Sequence, residues 1–302
     1  MRILVTGASG VIGQRAVPLL LLRGHTVTAV GRSRERLEPL ARIGASTAIV
    51  DLFDRDAVQR AVEGQEVVIN LATHVPPNNR LFLPGAWKEM DRVRRDASST
   101  LCDAAVAAGV RRFVQESFAP IYPDSGAQWI TEETPPTPAR YNRSVLDAEG
   151  AARRFSRSGG AGIVLRFAFL YGPGDPFAGQ LIGGARKGWL PLFGAPDGYF
   201  PMVVHDDAAA AAVAAMDLDE GIFNVVDDEP LTRREIAETL ASQLGVRAPR
   251  LLPRWMAKLG GSLGETLSRS LRVSNQKLRN TGWTPSVRSV REGLRASTSI
   301  GA

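Results

Sequence analysis

The chain has 302 residues, 44% hydrophobic and 23% charged, a globular balance that excludes a disordered or fibrous protein. Lys and Arg number 37 against 31 Asp and Glu, a formal net charge of +6. The arginines are scattered rather than gathered into a run, which argues against a nucleic-acid partner. A single cysteine, Cys102, excludes an internal disulfide framework. With His25, His74 and His205 far apart in sequence, no metal centre is expected.

Ile3-Leu4-Val5 reads as a buried strand rather than a secretory leader. The leucine run 19–22 is far short of the ~20 apolar residues a membrane span needs. A cytoplasmic protein without a membrane partner is the expectation. Helical spacing follows over 11–23 and stops at Gly24, with Pro18 predicting a kink. Strands are expected at 26–30, 47–50, 67–69, 112–114 and 162–167, and helices at 34–43, 57–62 and 90–108. Strands alternating with helices at this spacing mean βαβ units and a doubly wound parallel sheet. After Tyr171 the texture turns rich in Gly and Pro. A helix at 206–215, a strand at 222–226 and a broken helical tail from Leu231 complete the chain.

Between the first strand and first helix lies Thr6-Gly7-Ala8-Ser9-Gly10-Val11-Ile12-Gly13. Gly7 permits a tight turn, Gly10 lets backbone approach a pyrophosphate, and Gly13 lets helix and sheet pack closely. The helix N-terminus offers N–H groups to phosphate. This context predicts an α/β Rossmann-type domain at 1–172 and 203–228. A smaller C-terminal substrate-binding cap is expected at 173–202 and 229–302. Thr6, Gly7, Ser9, Gly10, Val11, Ile12 and Gly13 are the expected phosphate site. The second strand ends in Gly31-Arg32-Ser33-Arg34 with no acid to grip a ribose 2′-OH. Arg32 and Ser33 suit a 2′-phosphate, so NADP(H) is preferred over NAD(H), unless Arg32 is simply a solvated arginine where the helix starts. Asp51 and Leu52 either meet the adenine or belong to the cap of the next helix.

Together with Asn70-Leu71-Ala72, Arg166-Phe167-Ala168-Phe169-Leu170-Tyr171-Gly172-Pro173-Gly174, His205-Asp206-Asp207 and Thr281-Gly282-Trp283-Thr284-Pro285, the turn resembles the extended short-chain dehydrogenase/reductase family, epimerase/dehydratase-like group, over nearly the whole chain. The resemblance implies a nicotinamide cofactor contacted also by Leu71, Ala72 and Thr73, a small-molecule substrate, and a homodimer through the 90–108 helix and the one after Tyr141. It further implies a Ser/Thr hydrogen-bond donor, a Tyr acid/base and a Lys four residues after the Tyr. Here Tyr141 stands, but Val145 occupies the lysine position and Phe118 the serine position, with Ser117 one residue early.

Tyrosine has a pKa of about 10, which a nearby ammonium lowers. Without it Tyr141 is a poor base but still a proton donor, or else an aromatic kept for packing. A one-residue offset in a strand turns Ser117 to the opposite face. Glu116, at the strand end, and His74, in the loop after the fourth strand, are the other acid/base candidates. His205 reads as structural. Arg92, Arg94 and Arg95 read as a solvated helix face. The stretch 198–202 lacks the arginine with which nucleotide-sugar enzymes of the family hold a diphosphate, and Trp189, Phe193, Tyr199 and Trp255 supply aromatic surface. The expected activity is therefore NADP(H)-dependent reduction of a carbonyl on a small apolar substrate. The alternatives are a redox-neutral epimerase or isomerase with retained nucleotide, and a non-catalytic NADP(H)-binding sensor.

Overall fold

The computed structural model describes residues 1–77, 80, 81, 83 and 85–299. Its main sheet has seven strands: β1 (Arg2–Thr6), β2 (Thr26–Gly31), β3 (Ser46–Ile49), β4 (Val67–Asn70), β5 (Arg112–Phe118), β6 (Ala161–Phe167) and β7 (Gly221–Val225). Their order across the sheet is β7-β6-β5-β4-β1-β2-β3, and the pairs β3-β2-β1-β4-β5 run parallel. The doubly wound Rossmann arrangement is thus present. Leu4 faces Thr28 on one side and Val68 on the other. All four β4 residues are buried, as expected of a strand with helices on both sheet faces.

Two helices of the first unit start where side chains cap them. Ser33 accepts from the Arg36 N–H at the start of α2 (Arg34–Arg42), and Asp54 accepts from the Asp56 and Ala57 N–H groups at the start of α3 (Arg55–Val62). The first helix, α1 (Gly13–Leu22), begins two residues later than its apolar spacing suggests and continues through Pro18. The expected single helix at 90–108 is in three parts: α4 (Lys88–Arg92), a π-turn over Val93–Ala97, and α5 (Ser98–Ala107). The helix after Tyr141, α6 (Val145–Arg157), buries Val145, Ala148, Glu149, Ala151, Ala152 and Phe155, a stripe at helical spacing.

The chain forms two compact units. The first comprises residues 1–118, 142–166 and 209–223. Its core joins Leu4, Val30 and Val68 to Leu101, Phe113 and Phe155. The second comprises residues 119–141, 167–208 and 224–302. Its core gathers Tyr171, Leu181, Phe200, Met202, Ile236, Leu240 and Leu294. It contains α7 (Pro176–Arg186), most of whose apolar face enters that core, the first residues of α8 (His205–Ala214), and α9 (Arg233–Leu244), held at its start by a reciprocal Thr232–Glu235 capping box. The 119–141 segment, expected with the first domain, groups with the second for a physical reason. The buried Arg269 guanidinium donates to the Tyr122 and Thr137 carbonyls at 2.9 and 2.7 Å, and the Ser125 N–H donates to the Ser270 carbonyl.

Candidate active site

The Gly-rich turn of the first unit is built by close backbone approach. Gly7 has φ +66°, and a Cβ there would stand 2.4 Å from the Leu71 carbonyl oxygen. A Cβ on Gly13 would stand 2.4 Å from the Gly7 carbonyl oxygen. Neither position admits another residue without moving backbone. The first turn of α1 carries no capping side chain and no acid, leaving its N–H dipoles without a competing anion. That is the donor set a pyrophosphate requires, so these residues fit a dinucleotide. Thr6 and Ile12 are buried, while Val11 is exposed at the rim.

The turn is braced from α2 in a way its sequence did not signal. The Arg36 guanidinium donates to the Ser9 carbonyl at 3.1 Å, and Gln14 donates to the same oxygen at 3.0 Å. Arg36 therefore lies against the phosphate turn. Arg32 is exposed at the end of β2, and Ser33 is engaged as the α2 cap. Only the spacing of Arg32 and Arg36 across the start of α2 could have suggested the pair. Asp51 is exposed and accepts from the Phe53 N–H at 3.0 Å; the cap of α3 is Asp54, not Asp51. Leu52 packs partly into the core.

Beneath the C-terminal ends of the central strands runs a buried polar chain. Thr6 Oγ1 donates to Asn70 Oδ1 at 2.6 Å, and Asn70 Nδ2 donates to Ser98 and Gln115 at 3.2 and 2.9 Å. The Ala72 N–H also donates to Asn70 Oδ1, fixing the Leu71–Ala72–Thr73 exit of β4. Thr73 and His74 continue that loop, His74 half-buried.

Glu116, the proposed carboxylate base, is not free: it faces Arg94 at 3.5 Å, and both side chains are almost fully buried. This corrects the reading of Arg92, Arg94 and Arg95 as a solvated face at Arg94, which is turned inward on the π-turn. Arg92 and Arg95 are exposed, Arg92 stacking 3.6 Å over the Phe53 ring and Arg95 facing Asp147 at 3.8 Å.

Ser117 is also committed. Its hydroxyl donates to Glu149 Oε1 at 2.7 Å, and Glu149 receives two further bonds from Arg166, at 2.7 and 2.8 Å. Ser117 and Glu149 are fully buried and Arg166 nearly so. The offset predicted from strand alternation thus has a destination, a hydroxyl turned onto α6. Tyr141 is half-exposed on a short turn in the second unit, and Val145, at the lysine position, is completely buried. Next to Tyr141, the Asn142 amide and Ser144 hydroxyl are buried with no hydrogen-bond partner among the described residues.

In the second unit the stretch 198–202 enters the core. Phe200 stacks on Phe169 with ring centroids 4.4 Å apart and meets Phe177 at 6.2 Å. The nearby arginines serve structure. Arg233 is fully buried and donates to the Leu267 and Arg269 carbonyls, both at 2.8 Å. His205 faces Asp175, which caps α7, at 3.3 Å, in keeping with a structural role.

Residues 3–225 match the NAD dependent epimerase/dehydratase family. Over 97% of the chain and 99% of the relative, the sequence is 35% identical to a Streptomyces 3-diazoavenalumate denitrifying reductase. Among solved structures, the human epimerase family protein SDR39U1 with NADPH superposes with a TM-score of 0.83 at 24% identity, covering 99% of both chains. The Thermus thermophilus UDP-glucose 4-epimerase in complex with NAD gives 0.77 at 27% identity, covering 99% of this chain and 98% of that one.

Proposed function

The chain belongs to the NAD-dependent epimerase/dehydratase family, and we propose that within it the protein is an NADP(H)-dependent reductase of a small, apolar, non-nucleotide substrate. The observation that carries the cofactor preference is the end of β2. It offers Arg32 and, one helical turn on, Arg36 lying against Ser9, with no carboxylate for a ribose 2′-OH. Two guanidinium groups there suit a 2′-phosphate through charge-assisted bonds. Gly7, Gly10 and Gly13 would hold the pyrophosphate, and Leu71, Ala72 and Thr73 would flank the nicotinamide half. When bound, the nicotinamide ring supplies the reducing equivalent.

The substrate reading rests on the second unit. The stretch that carries a diphosphate-binding arginine in nucleotide-sugar enzymes is aromatic and core-packed here, and Arg233 and Arg269 are occupied by backbone carbonyls. This favours a reductase over a nucleotide-sugar epimerase. For a carbonyl substrate Tyr141 is the proton donor, with His74 as the alternative.

A diazo-bearing substrate is a second reading. It is favoured by the Streptomyces relative and by Val145 and Ser117: replacing a diazo group by hydrogen leaves no alkoxide to protonate, so a weakened proton relay costs little.

Fluorescence titration with NADPH and NADH tests the cofactor assignment. NADPH should bind at least tenfold more tightly, and Arg36→Ala should erase most of the difference. Equal affinities in the unmodified protein would refute it.

A further inference from the structure

Two segments of the second unit that meet in a short parallel strand pairing combine exposed apolar side chains with positive charge. On α10 (Arg254–Leu259), Trp255 is 62% and Leu259 75% exposed. They are four residues apart and share a helix face, with Lys258 between them in sequence. The short parallel pairing of Trp189–Leu190 with Arg250–Leu251 aligns Trp189, itself 43% exposed, with Arg250. Residues 245–264 contain Arg247, Arg250, Arg254 and Lys258 and no acid, and residues 176–196 contain Arg186 and Lys187 and no acid.

Several arginines elsewhere in this unit are paired with carboxylates. Arg234 faces Asp197, Arg279 faces Asp228, and Arg291 faces Glu229 and Glu235. Among the described residues, Lys187, Arg247, Arg250 and Lys258 make no ion pair and all four are exposed.

We propose that this face docks on an anionic lipid surface. Single exposed hydrophobic residues are ordinary. Two tryptophans and a leucine set among cations, with no acid in either segment, have the composition of an interfacial element. The rings would sit at headgroup depth and the cations on anionic headgroups. Duplex nucleic acid would engage the cations and leave Trp255 and Leu259 in water. A second copy meeting this face symmetrically would set like charges against one another. Peripheral docking requires no spanning helix, and no helix among the described residues is long and apolar enough to cross a membrane.

Vesicle sedimentation of the full chain tests the proposal, using phosphatidylcholine alone and phosphatidylcholine with about one third phosphatidylserine. Binding should require phosphatidylserine and fall steeply between 50 mM and 500 mM salt. Each cation removed near the surface should weaken partitioning about fivefold, so a triple Arg247→Gln, Arg250→Gln, Lys258→Gln variant should lose roughly 100-fold. Tryptophan emission should shift to the blue and be quenched by brominated lipid. Removing the apolar set, Trp189→Ala, Trp255→Ala and Leu259→Ala together, should remove both signals while leaving the far-UV circular dichroism unchanged. Failure to sediment with anionic vesicles at low salt would overturn the proposal. So would quenching that survives loss of the apolar set, self-association of the free protein that its loss abolishes, or RNA binding unaccompanied by lipid quenching.

Discussion

Glu149→Gln is the sharpest perturbation the structure offers. Glu149 has no exposed surface, and its carboxylate receives three bonds of 2.7, 2.7 and 2.8 Å from Ser117 and Arg166. The amide removes the negative charge at nearly constant volume and takes from the Arg166 guanidinium, 2% exposed, the carboxylate it grips with two bonds. Breaking a buried pair from one side typically costs about 3–5 kcal/mol, most of it the uncompensated charge. Ser117→Ala removes one charge-assisted bond and leaves the ion pair intact, so about 1.5–3 kcal/mol is expected. Replacing both partners, Glu149→Met with Arg166→Met, should recover most of the loss, because a well-packed apolar pair is often as stable as a buried ionic one.

Urea denaturation followed by far-UV circular dichroism measures the series, with unchanged m-values showing that stability alone has moved. The same proteins should bind NADPH normally. If Ser117 served the substrate instead, Ser117→Ala would lower turnover without moving the denaturation midpoint. That outcome would refute the reasoning, as would a Glu149→Gln loss under about 1 kcal/mol, the size of an ordinary neutral hydrogen bond.

Arg36→Ala should weaken NADPH by about tenfold, the scale of one charged hydrogen bond, and leave NADH within twofold, read by fluorescence titration. Gly13→Ala should abolish dinucleotide binding, since its Cβ would lie 2.4 Å from the Gly7 carbonyl; calorimetry showing near-normal affinity would contradict that. Ser144→Ala removes a buried hydroxyl without a partner and should hold or raise the melting temperature, so a fall in a thermal scan would show a bond that this geometry lacks. Asp227 gives a pH prediction. Burial pushes its carboxyl well above the usual carboxylate range, with Val290's N–H only partly opposing and Asp228, Glu229 and Asp207 adding to the shift. The folded state then holds this proton at pH values where the unfolded chain has released it. Stability from this group is therefore full below about pH 4, the unfolded value, and is lost as pH rises toward the folded one. Asp227→Asn should flatten that part of the stability–pH curve, and an unchanged slope in denaturation series would count against it.

What the sequence made legible is what repeats locally. The β1 strand, the glycines of the phosphate turn, α2 and α3, and the strands through β6 all follow from period, punctuation and composition, because each is decided within a few residues. The departures at Val145 and Phe118 were legible for the same reason: a motif has fixed spacing, and a wrong residue at a fixed position is visible without a structure. Where the displaced groups go is not local. Ser117 meets a glutamate 32 positions away, and that glutamate meets an arginine 17 further on.

Arg94 reads as one of three surface arginines because helix spacing is assumed constant along the segment, and the π-turn at Val93–Ala97 breaks that constancy. Arg36 is illegible for the opposite reason: it lies one turn beyond the end of β2, inside α2, and only the fold lays its guanidinium on Ser9. The consequence for function is asymmetric. Glycines constrained by backbone contact identify the cofactor turn from either direction. Under the proposed function, valine at the relay position would weaken protonation, and the substrate that tolerates this has to be found by chemistry on the bench. The Glu149 series and a carbonyl-versus-diazo comparison therefore belong together. If Ser117 proves to be a strut and carbonyl turnover is slow while dinitrogen release is fast, the missing lysine reflects a substrate that never needed it rather than a site that has decayed.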